Sequence, residues 1–177
     1  MSPAGESPAL AQLQWVIGFH DWARPRITTA ARALSDEALR RPGAIPDGNE
    51  DGSLAAAIAH VLGAETVWFR RWQGDAFAPL PGAADYPTMD DVREHWEQLE
   101  QRRRAWLDHL TEADIAREVT YRSATRDVVE RFPLWQTILH LSNHTSHHRG
   151  EVAAALSGLG SPPESVDVID YMRSLTP

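Results

Sequence analysis

The sequence contains no cysteine. That excludes disulfides, thiolate metal sites and a cysteine nucleophile, and it fits a reducing compartment. It has no run of about 18 apolar residues, so nothing in it reads as a membrane span. Residues 1–14 lack a basic segment and carry Glu6 ahead of the first apolar stretch, which does not fit a secretory signal. A cytoplasmic location is the expectation. Positive charge is also scarce: 17 basic residues face 25 acidic ones, a formal net charge of −8. Such a chain is poorly placed to bind phosphate backbones, whose neutralisation supplies most nucleic-acid affinity. No nucleic-acid partner and no membrane are expected. No internal repeat occurs at solenoid periods.

What is present is ordinary in bulk and unusual in detail. The 177 residues are 42% apolar and 24% charged, enough for one domain with its own core, spanning 1–177 with residues 1–7 as a frayed end. Seven tryptophans and eight histidines are high counts for this length. Four of those histidines, His140, His144, His147 and His148, fall in one short segment.

Helical spacing dominates the pattern. Leu10, Leu13, Ile17, His20, Ile27, Ala30, Ala31 and Leu34 predict a long first helix, with Pro25 expected to bend it or break its ladder locally. Residues 41–52 read as a loop. Ser53 caps a second helix, marked by Leu54, Ala57, Ile58, Val61, Leu62, Glu65, Trp68 and Trp72 and stopped by Gly74. Thr88 with Asp91 opens a third helix, whose stripe is Val92, Trp96, Leu99, Arg103, Trp106 and Leu110. Residues 117–132 fit either two short extended segments or an irregular crossover. Pro133 suits the first position of a fourth helix, which runs through the histidines to Gly158 or Gly160. One more packed piece follows the turn at Pro162 and Pro163. Four long amphipathic helices define an all-α four-helix bundle, with a long crossover before the fourth helix and a short C-terminal segment. The basic run Arg102, Arg103 and Arg104 sits among glutamates and reads as a solvated face laced with ion pairs. The tryptophans at 68, 72, 96 and 106 keep the buried stripes, whereas Trp15 and Trp22 could line a pocket or a dimer contact.

The fourth helix carries the chemistry. His144 and His148 are four residues apart, so on a helix they share a face with Cβ atoms about 5–6 Å apart. Two imidazoles so placed can grip one metal ion. His140 and His144 form a competing pair at the same spacing, and His147 lies about 100° round the helix from His148. His60, in the apolar stripe of the second helix, is the best candidate for a ligand from a facing helix; the other reading is a core histidine bonded to a carbonyl.

In order along the chain, these motifs resemble the DinB/YfiT-like metal-dependent superfamily, the damage-inducible helix-bundle family and not the polymerase that shares its name. The resemblance rests on Trp22-Ala23-x-x-Arg26, on Ser53-Leu54 followed by His60-Val61, Glu65 and Trp68, and on Leu139-His140-x-x-Asn143-His144-x-x-His147-His148-Arg149-Gly150. It continues through Gly158-x-Gly160-x-Pro162-Pro163 to Val168-Ile169-Asp170-Tyr171. It implies a four-helix bundle, a homodimer, and one divalent ion, zinc or nickel, held by His60, His144 and His148. Glu151 stands where the family usually has glutamine; it shares the face of His144 and His148 and reads as a fourth ligand, an acceptor for an imidazole N–H, or a solvated glutamate. Asn143, Glu65, Asp170 and Tyr171 are candidate supporting or substrate groups by resemblance and position, with Glu65 and Tyr171 equally readable as helix-surface or packing residues; Arg149 reads as an anchor for the structure or as a group that binds an acidic thiol. Three imidazoles leave coordination positions open, as in catalytic rather than structural sites. The resemblance implies a metal-dependent thiol S-transferase in detoxification or stress response, using a low-molecular-weight thiol. A metal-dependent hydrolase, a non-catalytic metal-binding module and a purely structural bundle that binds no metal are the alternatives.

Overall fold

The computed structural model describes residues 8–45, 51–123 and 126–176. The expected frayed end at 1–7 and part of the expected loop at 41–52 lie outside them. Four long helices form the frame: α1 (Pro8–Arg32), α3 (Leu54–Trp72), α4 (Met89–Leu107) and α6 (Leu134–Gly158). The short helix α2 (Asp36–Leu39) lies between α1 and α3. Each long helix packs on two others, α3 on α6 and α4, α1 on α6 and α4. The result is a closed ring around Ile17, Ile58, Leu62, Leu99, Leu134, Ile138 and Leu156, all at most 2% exposed.

Local chemistry sets the ends of these helices. Ser53 Oγ accepts from the Ala56 N–H at 3.1 Å. Thr88 and Asp91 bond reciprocally as a capping box. α6 closes with a Schellman motif: Gly160 has φ +81°, its N–H bonds Ser157 O, and the Ser161 N–H bonds Leu156 O at 2.9 Å. α1 runs through Pro25 without ending. Pro133 is not the first helical residue; it is the N-cap of α6.

The segment before α6 is the first of the two sequence alternatives. β1 (Glu118–Arg122) and β2 (Val129–Pro133) form an antiparallel pair in which Val119 faces Phe132 and Tyr121 faces Glu130. The short helices α5 (Glu112–Ala116) and α7 (Val168–Ser174), and a 3-10 turn at Ala83–Asp85, complete the described elements. Tyr171 of α7 packs against Trp15, Phe19 and Trp22 of α1.

The basic run of α4 departs from its expected reading. Arg104 is exposed and pairs with Glu100, but Arg103 is 1% exposed. It is bonded to Glu65 of α3 at 2.8 Å and to Asp21 of α1. Arg24 joins through Asp21 and through Glu100 at 2.9 Å. A buried cation is tolerated only with such partners. No helix among the described residues is long and apolar enough to cross a membrane.

Candidate metal centre

The α3–α6 seam brings three histidines together. His60 lies in the second turn of α3, and His144 and His148 lie one turn apart on α6. All three are half-buried, and one ring nitrogen from each lies within 4.8 Å of the others. His60 Nε2 and His144 Nε2 are 3.2 Å apart. The three ring centroids are separated by 5.1, 4.8 and 4.5 Å.

Protonation and orientation suit ligation. Burial pushes the His144 imidazole down to about 4, reinforced by His148 and His60 beside it. It is therefore neutral at pH 7, with one ring lone pair for a metal. Its Nδ1 is buried without a hydrogen-bond partner among the described residues, and its Nε2 is turned to His60. His148 donates from Nδ1 to Glu151 Oε2 at 2.7 Å. That bond fixes the tautomer and leaves Nε2 as the lone-pair nitrogen. Glu151 accepts the His148 N–H and also approaches His147 Nε2 at 3.3 Å; with His147 and His148 it forms a second group whose ligand atoms lie within 4.8 Å of one another. The triad of His60, His144 and His148 could hold a divalent ion. Three neutral imidazoles suit zinc, nickel, copper or iron, and three ligands leave positions open.

Other sequence candidates fall elsewhere. His140 packs edge-on against Trp68 at 5.2 Å, its ring 6.1 Å from that of His144, and stays outside the triad. Burial, then the charge of Arg71, lowers its pKa. Glu65 is 2% exposed and committed to Arg103, so it supports the bundle rather than the histidines. Asn143 is exposed. Asp170 accepts from Ser165 and Arg173 within the C-terminal piece, and Tyr171 anchors that piece to α1.

Sequence reasoning missed a relay behind the seam. Arg149 donates to His20 Nδ1 at 2.9 Å. An arginine can only donate, so His20 carries its proton on Nε2 and donates to Ser142 Oγ at 2.8 Å. Burial, then the Arg149 charge, pushes His20 down to about 3. Arg149 also lies 4.4 Å over the Phe19 ring. The relay bolts α1 to the stretch of α6 that carries the triad. The signal for it was a histidine, His20, in the apolar stripe of α1.

The profile of the DinB family matches residues 15–177, and the chain belongs to that family. Among solved structures it is similar to YfiT from Bacillus subtilis, with a TM-score of 0.63 and 14% identity over 90% of this chain and 94% of that one. YfiT is described as a probable metal-dependent hydrolase with an unusual four-helix bundle topology. At that identity the likeness establishes the fold. No curated protein matches the chain.

Proposed function

We propose that the protein is a divalent-metal-dependent enzyme, with His60, His144 and His148 as ligands and hydrolysis of a small electrophilic substrate as its reaction. One observation carries this reading: a ring nitrogen from each of His60, His144 and His148 lies within 4.8 Å of the others across the α3–α6 seam. A bound divalent ion would supply Lewis acidity and lower the pKa of a water or thiol beside it. Glu151 holds His148 in the ligating tautomer, and the His20–Arg149 bond fixes the backbone of α6 behind it. The description of YfiT supports the choice of hydrolysis.

Thiol S-transfer in detoxification or stress response is the second reading. It is favoured by the same set of three imidazoles, because a dication ligated by neutral nitrogens stabilises a soft anion such as a thiolate. The chain has no cysteine, so the sulfur would come from a low-molecular-weight thiol. Association as a homodimer belongs to the same proposal and is supported by the exposed Trp15, Trp135 and Leu139; light scattering tests it.

Elemental mass spectrometry of natively purified protein beside His144→Ala tests the metal reading. About one divalent ion per chain, lost in the variant, is the expected result. No uptake in either protein overturns it. On loaded protein, ester or amide cleavage without added thiol supports hydrolysis. Consumption of one thiol per turnover supports transfer. Stoichiometric metal with neither reaction leaves a metal-binding module.

A further inference from the structure

One helical turn from His144, the β-hairpin roofs a cleft that the metal reading does not use. It encloses about 290 Å³ and is lined by Trp68, Tyr121, Phe132, Gln136 and His140, with Glu130 at one side. His140 lies between the two: it lines the cleft, and its ring is 6.1 Å from that of His144. The cleft therefore neighbours the triad, with Trp68 of α3 and Gln136 and His140 of α6 among its lining residues.

The walls are rings. Trp68 and Tyr121 meet edge to face at 4.8 Å, and Tyr121 and Phe132 lie 6.4 Å apart. The first two are fixed from behind, because the Arg71 guanidinium lies 4.8 Å over Trp68 and 4.5 Å over Tyr121. Tyr121 is further tied by donating its hydroxyl to Glu130 at 2.5 Å. Glu130 is in turn paired with Arg126 at 3.1 Å, so its charge is already answered. What remains is a rigid aromatic slot with an amide, Gln136, at its rim. Pockets of this composition take flat apolar groups and use the few polar atoms for orientation.

Resting on the metal reading, we propose that this cleft is the specificity subsite, holding a flat aromatic group of the substrate while its reactive carbon lies at the triad. Trp68, Tyr121 and Phe132 select the group, and Gln136 orients it. The slot favours aryl esters, aryl amides or aryl electrophiles over their short-chain aliphatic counterparts.

Two hydroxamates test this on zinc- or nickel-loaded protein. Acetohydroxamate reports the metal alone, and benzohydroxamate adds the ring. Calorimetry is expected to show benzohydroxamate binding at least about tenfold more tightly. Phe132→Ala, at an exposed rim position, and Gln136→Trp, which fills the cleft, are expected to remove that preference. Metal content and acetohydroxamate affinity should stay the same. Equal binding of the two compounds by the unaltered protein, or a preference that survives both variants, overturns the subsite and leaves the metal reading standing. If no metal is taken up, the metal reading fails by itself. Benzamide added to the metal-free protein then decides the cleft: NMR shifts at the Trp68 indole and the Gln136 side chain support it, and their absence overturns it.

Discussion

Glu151 touches the triad only through His148, accepting its Nδ1 proton at 2.7 Å. Partners of this kind raise ligand basicity and hold the ring in register. Glu151→Ala is expected to weaken metal affinity about 10–100-fold, read by competition with a chromophoric chelator. Glu151→Gln should retain most of the affinity, because an amide oxygen accepts the same N–H. Unchanged affinity in the alanine variant would show that the contact does not support the site. The histidines themselves were legible because i, i+4 spacing is a local property of a helix. The role of Glu65 was not: position 65 lies on the inward face of α3 whether it serves a metal or an arginine, and its partner Arg103 lies 38 residues away.

At the scale of elements, the helices were readable from apolar period and caps, down to Ser53, Gly74 and the Thr88–Asp91 pair. The hairpin before α6 was less so, because five-residue strands give too little alternation to separate from an irregular crossover. The buried ion pairs of α1, α3 and α4 were hidden for a related reason. Charge reads as surface until the facing helix is known. One element contact has a sharp steric consequence. A Cβ at Gly63 of α3 would lie 2.4 Å from the Pro81 carbonyl oxygen, so the loop between α3 and α4 rests on bare helix backbone. Gly63→Ala is expected to cost about 1–3 kcal/mol despite the better helix propensity of alanine. Urea denaturation would show it as a lower midpoint at unchanged slope. A midpoint equal to or above that of the unaltered protein would mean that the loop yields freely.

Across the whole molecule, two buried groups tie stability to pH in the same direction. Burial and Arg149 hold His20 at about 3, against an ordinary 6.5. The unfolded chain therefore binds a proton there that the folded chain refuses, and stability falls as pH drops from about 6.5 toward 3. Burial alone would raise Glu65, but Arg103 and Arg24 hold it below its ordinary 4.5. Its contribution is present above 4.5 and is lost as pH falls further. Metal-free protein is expected to unfold at lower urea at pH 5 than at pH 7.5, at constant ionic strength. A midpoint that holds or rises at pH 5 would mean that His20 titrates normally. The seam has a consequence for biosynthesis as well. His60 and His144 are 84 residues apart in the chain, so a nascent chain that has emerged only as far as α4 possesses one imidazole of the three. On the proposed metal reading, loading waits until α6 has left the ribosome and closed on α3, so that a bound ion would report a completed bundle.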